Sequence, residues 1–331
     1  MSDGLRAIEV SPEYSIGRLV ELGERAEAVG FDAVFASSHY NNRDPLIACT
    51  QIANATEEVW VGPGIVNPYE THPAVLATRL ATLEEVSQGR AVCGIGPGDP
   101  TTLGNLGIER ERPLRRTLEA FTVMRNLWAG EEVTHEGTFE TQDAALNYHA
   151  LGAIPVFVGA QGPHMLRMSA KHADGVLYNG SHPDDVEWAA ERVAEGLDER
   201  GSDGEGFEFA AFASVSVAED PERAIEAARP PVAYIVAGAP EPVLARHGID
   251  ANYAKMMGSA IAEGAYIDAF QAVTEDMIEA FCVAGTPEDV ADGLADLLEH
   301  ADGVVVGSPL GPNLDEAVGL AAEALSLTPR E

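Results

Sequence analysis

The residues of this chain that could do chemistry sit at the ends of short apolar runs, not in one contiguous motif. Glu9 stands between Ile8 and Val10. A carboxylate in such a strand is costly unless it is paired or used, so Glu9 reads either as a working acid or as half of a structural ion pair. The other candidate stretches are Ser37 to Asn42, Gly62 to Asn67, Gly94 to Asp99, Gly159 to Pro163, Asn179 to Ser181 and Gly307 to Pro309. Glycine recurs in them, and glycine lets a ligand approach the backbone closely. Together they suit an extended, mostly uncharged ligand. The helical segment that starts after Gly162 could hold a phosphate on free backbone N–H groups.

Competing chemistries find less support. The run "GIGPGD" from Gly94 to Asp99 has the spacing GxGxG, not the GxGxxG of a dinucleotide fold, and no acidic residue ends a second strand about 20 residues later. His39, His72 and His164 have no carboxylate or Cys at ligand spacing, so no metal is expected. There is no Ser-His-Asp or GxSxG pattern.

The elements that must carry these residues alternate. "LRAIEV", "FDAVFASS", "VWVGPGIV", "RAVCGIG", "AIPVFVGA", "DGVLYNG", "FEFAAFASVSVA" and "ADGVVVGSPLG" read as strands. Segments with apolar residues at helical spacing separate most of them. One of these opens at Asp44-Pro45 with an N-cap followed by proline in the first turn. About eight strand-helix units imply right-handed crossovers, a parallel sheet and a closed (β/α)8 TIM barrel. We expect one domain over residues 1–331. A small hairpin-like excursion near 131–152 and a helical insertion near 239–281 interrupt the alternation.

Bulk properties narrow the setting. At 331 residues and 46% hydrophobic, the chain can bury a large core. No run of about 18 apolar residues offers a membrane span, and the first residues lack the basic-then-apolar pattern of a secretory signal. Cys49, Cys93 and Cys282 are far apart, odd in number and without a CxxC, which reads as reduced thiols in a cytoplasm. The 54 acidic and 20 basic residues give a net charge of −34, which would repel nucleic acid and anionic membranes. Only Lys171 and Lys255 are lysines. A distributed acidic shell with almost no Lys suits a halophilic host, where a screening length of about 3 Å at 1 M salt removes the self-repulsion.

Read in order, "HYNN", "GPGIVNPYETHP", "ATLEEVSQGRAVCGIGPGD", "VFVGAQGPHML", "ERAIEAARPPVAYIVAGAPEPVLARHGID", "EDMIEAFCVAG" and "GVVVGSPLGP" resemble the methylenetetrahydromethanopterin reductases. These are archaeal enzymes of the bacterial-luciferase-like superfamily, and the resemblance covers essentially the whole chain. It implies a luciferase-like barrel, no metal and the deazaflavin coenzyme F-420 as hydride carrier. It also implies a methylene-tetrahydropterin substrate and a homodimer or homotetramer. In this superfamily a non-prolyl cis peptide lies behind the deazaflavin ring at the end of the third strand, and the matching bond is Gly64–Ile65.

The resemblance assigns His39, Asn41, Gly64, Ile65, Asn67 and Gly98 to the deazaflavin. It assigns Ala160, Gln161, Gly162 and Asn179 to its tail and phosphate. Glu9 matches the family's first-strand acid. It is expected to protonate the pterin nitrogen as the one-carbon unit opens to an iminium. Asp99 is the second candidate acid and is expected to bind the pterin ring. Ser38 departs from the Asp that usually precedes the His of "HYNN". The pterin is tetrahydromethanopterin or tetrahydrofolate. The superfamily also contains flavin monooxygenases, deazaflavin alcohol and sugar-phosphate dehydrogenases, and ligand-binding barrels without activity.

Overall fold

The structure, a computed structural model, describes residues 4–201 and 206–328. Both ends of the expected domain, residues 1 and 331, lie outside that range. The chain opens with β1 (Arg6–Val10), α1 (Ile16–Ala28), β2 (Ala33–Ala36), α2 (Pro45–Ala55), β3 (Trp60–Pro63) and α3 (Pro73–Val86). It continues with β4 (Cys93–Ile95), α4 (Pro100–Asn105), α5 (Pro113–Trp128), β5 (Val133–Glu136), β6 (Glu140–Ala144) and β7 (Val156–Gly159). Next come α6 (Pro163–His172), β8 (Gly175–Asn179), α7 (Pro183–Asp198), β9 (Glu208–Val217) and α8 (Pro221–Gly238). Four short helices follow: α9 (Glu241–Arg246), α10 (Ala251–Ala262), α11 (Tyr266–Gln271) and α12 (Glu275–Phe281). The last elements are β10 (Val283–Gly285), α13 (Pro287–Leu298), β11 (Gly303–Leu310) and α14 (Leu314–Leu327). Mostly parallel strands β1, β2, β3, β4, β7, β8, β9 and β11, joined through helices, define the (β/α)8 barrel class.

The chain packs as two compact units. The first runs to Tyr178 and resumes from Trp188 to Ala210. In it β2 lies parallel to β1 and β3, and β7 lies parallel to β4 and β8. All residues of β1 and β2 are buried, as expected for parallel strands covered on both faces. Helix starts are set by short polar side chains. Ser15 accepts from the Arg18 N–H and Asp44 from those of Leu46 and Ile47, which satisfies donors that the first turn leaves unpaired.

The excursion before β7 is an antiparallel β5–β6 hairpin held on α5. Glu119 Oε2 accepts from the Thr138 N–H at 2.7 Å and the Thr138 hydroxyl at 2.8 Å, while Oε1 accepts from Arg115 Nε at 2.5 Å. Glycine leaves room for this carboxylate: a Cβ on Gly137 would lie 2.5 Å from Glu119 Oε2 and would push that side chain aside.

The second unit contains Asn179–Glu187 and the chain from Ala211 onward. Its helical segment begins earlier than residue 239, because α8 already spans Pro221–Gly238 with Pro230 and Pro231 inside it. Those prolines break the local helix signal, yet the helix is held by burial of Ala228, Val232, Ala233 and Val236. The same core takes in Leu244, Ala254, Met257, Met277 and Phe281 from α9, α10 and α12. The sequence reading also left α4, β10 and α13 unassigned. The last has a full capping box between Thr286 and Asp289.

Candidate active site

The ends of four strands in the first unit, β1 to β4, are stitched side by side. Ser37 N–H donates to Val10 O at 3.2 Å, joining the β2 exit to the end of β1. Gly64 N–H donates to Ala36 O at 2.8 Å, joining the β3 exit to β2. Val66 N–H donates to Gly94 O at 2.9 Å and Gly96 N–H donates back to Val66 O at 3.0 Å. The β3 exit thus crosses to β4, and the Gly64–Ile65 bond within it is cis.

The glycines of this rim serve the protein as much as any ligand. A Cβ on Gly62 would lie 2.1 Å from Val92 O, and one on Gly94 would lie 2.0 Å from Pro63 O. A Cβ on Gly96 would meet Ile65 Cδ1 at 3.1 Å, and one on Gly159 would meet Ile65 Cγ1 at 3.3 Å. The run "GPGIV" therefore brings the β3 exit hard against β4, and "GIG" with Gly159 leaves a socket that the Ile65 side chain fills. Sequence reading missed this socket, because its glycines lie on separate strands.

Two residues assigned to the cofactor have local employment. Asn67 is buried; its Oδ1 accepts from the Tyr69 and Glu70 N–H groups and its Nδ2 donates to Glu70 Oε1. It forms the turn that follows the cis bond. Gly98 has φ +71°, and a Cβ there would fall 3.2 Å from Asn67 Cγ. Its carbonyl accepts from Arg110 Nη1 at 3.0 Å. Asp99 is exposed and is the N-cap of α4: its Oδ1 accepts from the Thr102 N–H at 2.7 Å and hydroxyl at 2.8 Å.

Glu9 is buried in β1, at 6% exposure, in register with Phe35. Its charge is felt at Tyr14, whose phenol is pushed up first by burial, then by Glu13, with a smaller part from Glu9. His39 and Asn41 are exposed beyond β2. Ala160 is buried and its N–H donates to Leu177 O at 3.2 Å, while Gln161 is exposed. Gly162 caps α6 without a side-chain bond, no acid lies in the first turn, and no atom lies within 4 Å of a Cβ placed on Gly162. Such a helix start suits an anionic group. Asn179 ends β8 as the first residue of the second unit and is exposed.

A cavity of about 650 Å³ lies at the opposite, entering ends of the strands, lined by Trp60, Trp128, Phe157, Arg125, Asp174 and Glu208. Its polar groups are engaged in the fold: Arg125 pairs with Asp174 at 2.6 Å, and Asp174 also accepts from the Val156 N–H at 2.8 Å. It contains none of the expected site residues, and barrel chemistry sits at the exit ends. Among the described residues no group of three or more His, Cys, Asp or Glu is placed to hold a metal. No described helix is long and apolar enough to cross a membrane.

An exit-end rim with a cis bond after its third strand, on a barrel with a hairpin excursion and added helices, defines a luciferase-like barrel. The luciferase-like monooxygenase family model matches residues 4–303. The chain is 40% identical over 319 residues to the 5,10-methylenetetrahydromethanopterin reductase of Archaeoglobus fulgidus, covering 95% of this chain and 96% of that protein. It is 39% identical over 315 residues to the enzyme of the same name from Methanolobus tindarius, covering 95% and 97%. The solved coenzyme F-420-dependent tetrahydromethanopterin reductase of Methanopyrus kandleri superposes with a TM-score of 0.92 at 36% identity, covering 97% of this chain and 98% of that one. The chain belongs to the luciferase-like monooxygenase family, within its branch of methylenetetrahydromethanopterin reductases.

Proposed function

We propose that this protein reduces 5,10-methylenetetrahydromethanopterin to the methyl form, with coenzyme F-420 as its redox partner. The carrying observation is likeness over nearly the whole chain to reductases of that name. The residues present fit the cofactor. The α6 start offers unblocked N–H groups and open space at Gly162 for an anionic tail, and exposed His39 and Asn41 stand beyond β2 for the ring. When bound, the reduced deazaflavin supplies a hydride.

The chain's own groups do the rest. Ile65, braced by the Gly94, Gly96 and Gly159 backbone, gives the ring a fixed wall, and a fixed approach lowers the barrier through orientation. Gln161 and Asn179 bind the tail. Glu9 delivers a proton to the pterin nitrogen, so that the methylene bridge opens to the iminium that accepts the hydride. Asp99 reaches the pterin with the oxygen not used for its cap. The reading treats residues 1–331 as one catalytic domain, working in the cytoplasm as a homodimer or homotetramer and not on nucleic acid or membranes.

The test is optical. Purified protein with reduced F-420 and methylenetetrahydromethanopterin should form oxidised deazaflavin, read by its absorbance, and titration should show binding of F-420 in preference to FMN. Methylene-tetrahydrofolate is the control substrate. Equal or faster turnover with it would reassign the pterin, and no turnover with either would remove the reading.

A further inference from the structure

The second unit contains a buried ionic cluster that the proposed chemistry does not use. Asp185, in the first turn of α7, is 4% exposed. Its Oδ1 accepts from Arg246 Nη1 and its Oδ2 accepts from His247 Nε2 at 2.8 Å. A carboxylate has no proton to give, so His247 carries its proton on Nε2. The His247 side chain is 6% exposed and its ring packs edge-on against His182 at 4.8 Å and Phe281 at 5.4 Å. His182 in turn starts α7: its carbonyl accepts from the Asp185 N–H at 3.1 Å and its Nδ1 accepts from the Asp184 N–H at 3.2 Å.

Asp185 thus ties the α9 end of the helical segment to the loop between β8 and α7. That loop is Gly180–His182, and Asn179 is the last residue of β8 immediately before it. The loop is already fixed on β9, where Gly180 N–H donates to Phe212 O at 3.3 Å and Ser181 Oγ accepts from the Ser214 N–H at 3.0 Å. The helical segment has an apolar core of its own, with Leu244 on α9 and Phe281 on α12. Apolar packing is tolerant of small slides, whereas a carboxylate with one donor on each oxygen admits a single register. Taking such charges out of water is costly and is a poor source of net stability. Its use is in fixing one arrangement.

We infer that Asp185 is a positioning residue for cofactor binding. Through Arg246 and His247 it holds the helical segment against the β8–α7 loop, so that Asn179 is ordered before the ligand arrives. This rests on the proposed contact of Asn179 with the F-420 tail. Affinity for a ligand falls by the fraction of molecules whose site is competent. If loss of the tie leaves about a tenth of the loops in register, the Kd for F-420 rises about tenfold. Turnover at saturating F-420 stays the same, because Asp185 touches no reacting atom.

The experiment is an F-420 titration, followed by deazaflavin fluorescence, of wild type, Asp185→Asn, Arg246→Gln and the double variant, each checked for folding by thermal unfolding. Asp185→Asn should raise Kd about tenfold with kcat at saturating F-420 within about twofold of wild type. The double variant should bind no worse than Asp185→Asn alone, because both changes cut one tie. Should Asp185→Asn fail to fold, Arg246→Gln, which keeps the His247 bond, must by itself raise Kd. A folded variant with lower thermal stability and wild-type Kd would overturn the inference and leave a purely structural ion pair. A fall in kcat at unchanged Kd would overturn it too. Failure of the wild type to bind F-420 would instead remove the cofactor reading, and the inference with it.

Discussion

The side chain of Ile65 fills the space that a Cβ on Gly159 would need: that atom would lie 3.3 Å from both Ile65 Cγ1 and Cγ2. Ile65, two residues beyond the end of β3, and Gly159, the last residue of β7, are thus matched in size. On Gly94 the added atom would strike Pro63 O at 2.0 Å, which is backbone and cannot rotate away. Gly94→Ala should therefore cost about 3 kcal/mol, at the upper end of overpacking. Gly159→Ala asks only a small shift of Ile65 and should cost about 1 kcal/mol. Urea denaturation of the two variants checks the ranking, and equal losses would mean that backbone contact at Gly94 relaxes freely.

Glu9 is expected to act as the proton donor. Glu9→Gln keeps the shape and loses the acid, so single-turnover hydride transfer should slow by about 10²–10⁴-fold. The F-420 Kd and the thermal midpoint should hardly move. Normal turnover in folded Glu9→Gln would pass the role to Asp99. A lowered midpoint with normal turnover would make Glu9 half of a structural ion pair.

Glu119 gives a pH dependence with a defined sign. Burial opposes its ionisation, but the Thr138 N–H, Arg115, the Thr138 hydroxyl and His135 outweigh that and lower its pKa from an ordinary 4.5 to about 2. A depressed carboxylate stabilises the fold above its unfolded value and stops doing so as pH falls through the folded one. The stability that Glu119 supplies should thus be whole above about pH 4.5 and fade toward pH 2. Glu119→Gln should be less stable than wild type at pH 7, with the gap closing as the pH falls from 4 to 2. A gap that stays constant with pH would show that the loss is packing, not charge.

The charge of −34 should make stability depend on salt. At low ionic strength the acidic residues repel over about 10 Å or more, and at molar salt over about 3 Å. The thermal midpoint should climb with KCl up to molar concentration. A flat or falling midpoint over that range would rule out the halophilic reading of the surface.

Much of this protein is legible locally. The alternation of apolar runs with helical periods specifies the barrel class, because each strand and helix must bury its own apolar face. Asp44 before Pro45 specifies a helix start, and Glu9 between Ile8 and Val10 marks an acid that the fold would not hold idly. The cis bond at Gly64–Ile65 was anticipated only through the ordered resemblance of whole stretches, since nothing in a glycine pair dictates which peptide bond turns.

What the tertiary structure decided are relationships between residues far apart in the chain. Pro230 and Pro231 argue against a helix, and only burial against the other helices of that segment keeps α8 intact. That the Asn67 amide also closes a turn beside Gly98 appears only in the folded chain. That Gly94, Gly96 and Gly159, from separate strands, leave a socket for the Ile65 side chain is likewise visible only after folding. Asp185 looks like an ordinary acid of a helix first turn, yet it meets Arg246, 61 residues away, and His247, 62 residues away. Periodicity and capping act within a few residues and so are written in local sequence. Close packing and ion pairing act between surfaces that meet only after the chain has folded.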